Sequence, residues 1–320
     1  MSPQIRNPKS QFPNPTPFQW QVEPSNAGER LDRAVAAHLP DLSRSYAANL
    51  IERGHVTVNA VPVTKAGHKL KAGDLVSVEQ PAPGPSGLQA ESIPLNVIYE
   101  DADLLVIDKP ASMVVHPAPG HSGGTLVNAL LAHVPGLELD MGDEARPGIV
   151  HRLDTDTSGL MVVAKRRAAH DALSKQMAAR TMRKEYLALV RGKPSPPSAV
   201  IEAPIARDPR DRQRMAVVEG GRPARTRYST EQVYGPYTLV RCVLETGRTH
   251  QIRVHMSSTG HPILGDPTYG KSTLKDAERL GLTRQFLHAT KLGFTIPSTG
   301  QWREFDSPLP EELQRVLAQL

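Results

Sequence analysis

Gly148-Ile149-Val150-His151-Arg152-Leu153-Asp154-Thr155-Asp156-Thr157-Ser158-Gly159-Leu160-Met161-Val162-Val163-Ala164-Lys165 decides how this chain is read. Two apolar runs, Ile149 to Leu153 and Leu160 to Lys165, read as strands on either side of a polar tip. A sheet fixes such a tip, and the tip presents a reactive side chain. An Asp beside an Arg, in a turn of Thr, Ser and Gly, can be held as an anion poised for nucleophilic attack. The tip also begins like a calcium loop, D-x-D-x-S-G. Its twelfth position is Lys165, where a calcium loop needs a bidentate Glu, so calcium is rejected. Taken alone, Asp154 reads better as a turn residue bonding its own backbone, as most loop aspartates are.

Working outward, Val97 to Tyr99, Leu104 to Asp108, Glu185 to Val190 and Leu239 to Leu244 also read as strands. Thr125 to His133 and Ala168 to Ala179 read as helices. Strands and helices alternate without a regular βαβ period. The fold class expected is α+β, around a mixed, largely antiparallel sheet. Before it lies a smaller unit. Glu29 to Leu39 spaces Leu31, Val35 and Leu39 as one helix face, and Pro40 stops it. Ser43 can cap a second helix over Arg44 to Arg53, which Gly54 ends. His55 to Val58 and Asp74 to Val78 read as strands. Pro81 to Gly87 is a breaker-rich connector. The division expected is a loose tail over 1–18, which holds five prolines, then a small domain over 19–80, a linker over 81–91 and a large domain over 92–320.

The 320 residues suffice for two such domains. Lys and Arg number 38 against 33 Asp and Glu, a formal charge of +5, so the placement of the excess matters more than its size. Cys242 is the single cysteine, which excludes a disulfide framework and a multi-cysteine zinc site. No apolar run is long enough to cross a bilayer, and the first residues hold no apolar signal core. A cytoplasmic protein with no membrane partner is expected, a monomer by default.

Three further segments carry chemistry. In Glu245 to Gly260, Thr249 is a good N-cap and Gly260 a good stop, which predicts a short helix. His250 and His255 would diverge by roughly 140° on it, so zinc is not expected. Arg253 reads either as a surface cation, the usual fate of arginine, or, between Ile252 and Val254, as a partly buried one that then needs a carboxylate. Tyr186 alternates with Ala188 and Val190 on one strand face, where a packed tyrosine is the ordinary reading. Arg207 to Arg227 holds seven arginines, broken by Asp208, Asp211 and Glu219. It reads either as a solvated loop or as a grip on phosphates.

In this order, the pieces resemble the RluA-type pseudouridine synthases, most closely the branch that modifies large-subunit ribosomal RNA. His151-Arg152-Leu153-Asp154-x-x-Thr157-Ser158-Gly159 is similar to that family's catalytic motif. Gly247 to His255, Asp108-Lys109-Pro110 with Val115-His116-Pro117, and Gly265-Asp266-Pro267-x-Tyr269-Gly270 match its other motifs. The unit from about Gln19 to Val78 resembles an S-four-like RNA-binding domain. The resemblance implies conversion of uridine to pseudouridine on an extruded base, with no metal or redox cofactor. It implies Asp154 as nucleophile, Arg253 as its partner and Tyr186 against the base. Ile252 would form an apolar wall, and Arg152 would fill the gap left by the flipped nucleotide. His151 and Arg248 complete the substrate-binding set. The partner implied is RNA, ribosomal RNA first, within a pre-ribosomal particle or free. Arg30, Arg33, Arg44 and Arg53 are candidate phosphate contacts on the helices of the first domain.

Overall fold

The computed structural model describes residues 17–39, 44–79, 88–117, 123–137 and 147–320. Residues 1–16 of the expected tail, Pro40, Ser43 and the connector Pro81 to Gly87 lie outside them. The chain divides into two compact units, Met1–Ser86 and Gly87–Leu320.

The first unit is a four-stranded sheet with two helices. Its strands are β1 (Phe18–Gln21), β2 (Val56–Val58), β3 (Val61–Pro62) and β4 (Leu75–Val78), in the order β1-β4-β2-β3. Every pairing in it is antiparallel. The helices are α1 (Leu31–His38) and α2 (Arg44–Glu52). Alternation along β2 and β4 sends Val56, Val58, Val76 and Val78 inward, where they meet Leu31, Val35, Leu50 and Ile51. Arg30 and Arg53 flank the helices rather than lying on them, because α1 begins at Leu31 and α2 ends at Glu52. Buried Asp32 draws both Arg30 and Arg44 to itself, at 2.9 and 3.0 Å. The Arg30 hydrogen bond, acting with Arg44 against burial, holds the Asp32 carboxyl below the usual range. Arg33 pairs with Glu29 at 3.4 Å.

The second unit is built on a nine-stranded sheet. In chain order its elements are β5 (Val97–Glu100), β6 (Leu104–Lys109), α3 (Leu126–His133), β7 (Ser158–Ala164), α4 (Arg167–Ala179) and β8 (Arg183–Arg191). There follow β9 (Ser198–Glu202), β10 (Ile205–Arg207), β11 (Met215–Val217), β12 (Arg225–Tyr234), β13 (Tyr237–Leu244) and α5 (Gln251–Ser258). The chain ends in α6 (Leu274–Arg279), β14 (Leu287–Thr295), β15 (Trp302–Asp306) and α7 (Glu311–Ala318). The strand order is β5-β6-β7-β14-β8-β13-β12-β9, with β15 paired to β14. Only β7 and β14 run parallel, over two residue pairs, so the sheet is mixed and largely antiparallel. β10 and β11 form a separate hairpin.

Every residue of β7 is buried, which explains its unbroken apolar run. Gly159 is required where β7 meets β14. Its φ is +119°, and a Cβ there would stand 2.3 Å from the Ala289 carbonyl oxygen. Thr125 caps α3 rather than entering it.

Three expectations need correction. Ile149 to Leu153 is not a strand: only Ile149 makes a bridge, to Val163. The Val162 N–H is taken instead by the His151 imidazole, at 3.1 Å from Nε2, so a side chain replaces the backbone ladder there. Thr249 is not the cap of α5. That place falls to His250, in the left-handed region at φ +57°, with no side-chain cap. The arginine stretch is not one loop. Arg207 to Arg214 belongs to the β10–β11 hairpin, while Arg225 and Arg227 lie on β12 and reach Glu245 at 2.9 and 3.4 Å.

Candidate active site

The tip that carries Asp154 is held from beneath by cations. Leu153 is buried in the core, which anchors the approach. The Thr157 N–H closes the turn on the Asp154 carbonyl at 3.1 Å. Fully buried Lys109 donates to the carbonyls of Pro110, Met113 and Thr155, at 2.7 to 3.0 Å. Burial pulls its pKa down to about 7, against the opposing pull of Asp156 and Asp154. Three carbonyl acceptors match the three hydrogens of an ammonium and not the two of an amine. Arg284 donates to the Asp156 carbonyl at 3.1 Å and to the Ser158 hydroxyl at 3.3 Å. The tip is therefore fixed at both carbonyls that follow Asp154.

Above the tip, Arg253 on α5 joins two carboxylates. Its Nη1 donates to Asp154 Oδ2 at 3.0 Å. Its Nε and Nη2 form a fork on Asp266, at 2.7 and 2.9 Å. Asp266 is wholly buried and also accepts the N–H groups of Thr268 and Tyr269. Burial alone would raise its pKa, but the Arg253 guanidinium and these two donors hold it below the usual range. Burial lowers the Arg253 pKa, and the two carboxylates more than reverse this, so it stays charged. Tyr269 stacks beneath it, ring centre 5.2 Å from the guanidinium carbon.

The result is an aimed carboxylate with one oxygen left over. Among the described residues, Asp154 Oδ1 has no hydrogen-bond donor. His250 Nε2 stands 4.0 Å from it. Burial lowers the His250 pKa, which opposes a charged contact there. The other His250 nitrogen lies 2.9 Å from the Tyr269 hydroxyl.

Asp154 opens onto a cavity of about 310 Å³. That lies at the small end of ligand pockets. Tyr186, Arg152, Ile252, His151 and Arg248 all line it with Asp154 and Arg253, so all seven expected site residues meet in one place. Tyr186 is buried on β8. Burial first, and Asp154 second, push its hydroxyl pKa up. Ile252 is buried, whereas Arg152 is exposed at the rim. His151 is half-buried, and burial lowers its pKa to about 3, as suits a neutral ring accepting a backbone N–H. Arg248 donates its Nε to the Pro223 carbonyl at 3.1 Å. Asp154 is the one carboxylate among the described lining residues. A cavity lined so suits an anionic ligand that brings an electrophilic carbon to Asp154.

The sequence reading gave no role to Asp266, Lys109, Arg284 or Lys184. Asp266 and Lys109 lay inside quoted motifs. Lys184 alternates with Tyr186 on β8, and that spacing alone could have placed it in the site. Among the described residues, no group of three or more His, Cys, Asp and Glu side chains is placed to hold a metal ion.

The chain matches the RNA pseudouridylate synthase family over residues 103–258 and the S4 domain over residues 29–76. A protein of Chloroflexus aurantiacus, named as an uncharacterized RNA pseudouridine synthase, is 54% identical over 299 residues, covering 93% of this chain and 92% of that one. One of Zymomonas mobilis, named ribosomal large subunit pseudouridine synthase D, is 46% identical over 299 residues, covering 92% of this chain and 94% of its own. Among solved structures, human RNA pseudouridylate synthase domain containing 1 matches with a TM-score of 0.55 at 29% identity, over 72% of this chain and 86% of that one.

Proposed function

This chain belongs to the RNA pseudouridine synthase family, and we propose that it isomerises uridines of large-subunit ribosomal RNA with Asp154 as the reactive carboxylate. The reaction conserves atoms. The bond from ribose C1′ to N1 breaks, a bond from C1′ to C5 forms, and the C5 proton moves to N1. A stacked uridine hides its glycosidic bond, so the base must leave the helix, at a cost of a few kcal/mol.

Each lining residue then has a task. Asp154 Oδ1, the oxygen that Arg253 leaves uncovered, meets the sugar as positive charge grows on it, as glycosidase carboxylates do. Arg253 fixes the aim, and Asp266 fixes Arg253. Tyr186 offers its ring to the base. Its raised pKa makes it a phenol in the empty site, so it carries the C5 proton only after passing its own hydrogen on. Ile252 walls the base. Arg152, exposed at the rim, fills the helix position vacated by the uridine. Arg248 faces backbone phosphate, and His151 holds the tip to β7. The small unit grips RNA through Arg30 and Arg44, whose shared Asp32 fixes their direction. The enzyme acts as a cytoplasmic monomer on the assembling subunit.

The observation that carries this reading is the Asp154–Arg253–Asp266 chain set in the wall of a cationic cavity. Mapping pseudouridines in ribosomal and transfer RNA from cells lacking the gene tests it. Sites should vanish from large-subunit RNA and return with the wild-type gene but not with Asp154→Asn. Loss confined to transfer RNA would overturn the substrate, and restoration by Asp154→Asn would overturn the assignment of Asp154.

A further inference from the structure

Lys184 stands two residues before Tyr186 on β8, so the pleat sends both side chains to the cavity face. Glu185, between them, turns to the opposite face, where Arg183 and Arg241 hold it. Lys184 is only 8% exposed. The polar contact of its Nζ is the Met177 sulfur at 4.0 Å, a weak acceptor. Among the described residues no carboxylate is in ion-pair reach of it. Burial alone pulls its pKa down, to about 8.

An ammonium buried without a counter-ion is costly, and Met or Leu would fill the space at no such cost. The charge is therefore kept for something that arrives. Asp154, the one carboxylate among the described lining residues, is already held by Arg253. Gly247 lies beside the ammonium; a Cβ there would sit in ordinary contact, 3.7 Å from Nζ. Arg248, the next residue, lines the same cavity; its Nε donates to the Pro223 carbonyl, and among the described residues no carboxylate is in ion-pair reach of its guanidinium.

We propose that Lys184 binds a phosphodiester oxygen of the RNA strand next to the flipped uridine, working with Arg248. A phosphate carries the full negative charge that a buried ammonium lacks, whereas a uracil carbonyl supplies only a dipole. Lys184 is thus a substrate-binding residue that draws the extruded nucleotide inward, and its neutralisation is part of the driving force for extrusion. The inference rests on the uridine-flipping reading of the site.

The test compares wild type, Lys184→Met and Lys184→Arg on the ribosomal RNA stem-loop found by mapping. Lys184→Met keeps length and packing beside Met177, and a thermal melt confirms its fold. Its RNA affinity should fall about tenfold, and its salt dependence should flatten by about 0.7 to 0.9 in log–log slope, the loss of one phosphate contact. Lys184→Arg should restore the slope. A neutral methylphosphonate at the linkage flanking the target uridine should weaken wild type about tenfold and Lys184→Met clearly less, since only the Arg248 contact is then left to lose. Equal losses in both proteins at each linkage would overturn the proposal. So would unchanged affinity with slower turnover of bound RNA, which would put the ammonium on the reacting base. Should wild type convert no RNA, the reading of function fails, and Lys184 is then judged by the salt slope on oligouridylate alone.

Discussion

The two units solve one electrostatic problem in opposite ways. In the small unit, one buried carboxylate, Asp32, serves two exposed arginines. In the large unit, one buried arginine, Arg253, serves two carboxylates. The first arrangement leaves positive charge over, on side chains 46% and 58% exposed. Such charge attracts phosphates and positions RNA without chemistry. The second leaves a carboxylate oxygen over, inside a cavity where an electrophile can reach it. Inverting the ratio of the same two residue types leaves cations over in one unit and a carboxylate oxygen over in the other.

The contrast can be broken at its most buried member first. Asp266→Ala should cost the large unit on the order of 3–5 kcal/mol, because a buried guanidinium loses its fork. Denaturant unfolding followed by tryptophan-independent far-UV signal measures this, and pseudouridine formation should fall with it. A silent Asp266→Ala would mean that Arg253 needs no second carboxylate.

Lys184→Met should act in the other direction. At pH 7 it removes a buried charge and should stabilise the large unit by on the order of 1–3 kcal/mol. The pH dependence identifies the cause. The folded chain lowers Lys184 from 10.5 to about 8, so between these values the unfolded chain alone keeps the proton. Wild-type stability gains from this group as pH rises through that window. The advantage of Lys184→Met should therefore be full below pH 8 and fade toward pH 10.5. Melting temperatures across that range check it, and an advantage that stays constant would refute the buried charge as its source.

Asp32→Asn is the smallest change. Asp32 pairs with largely exposed arginines, so about 1 kcal/mol of stability in the small unit is expected to go. RNA affinity should move within a few-fold, and turnover of bound RNA should not change. A large fall in turnover would place the small unit in the chemistry.

How far the sequence showed all this depended on the kind of contact. β6, β7, β8 and β13 were legible because apolar runs report burial directly. β12 was missed, because Arg225, Arg227 and its polar neighbours read as loop; Thr226 and Tyr228 are buried while the arginines reach sideways to Glu245. Ile149 to Leu153 misled for the converse reason, as an apolar run whose ladder position is taken by an imidazole. All seven site residues lay in motifs or on strand faces and converge on the cavity. Asp266 carried no role in the reading, because its claim on Arg253 spans thirteen residues and two turns of backbone that only tertiary packing closes. Lys184 carried no role in the reading either, although it stands two residues from Tyr186 on β8.

The central claim is that the uncovered oxygen of Asp154 does the chemistry while the rest of the site holds the RNA. Single-turnover conversion and RNA affinity of purified Asp154→Asn test it together. The amide keeps the shape but not the charge. Conversion should fall by about 10³-fold or more, with affinity within a few-fold of wild type. Conversion near the wild-type rate, or affinity lost in step with it, would contradict the account.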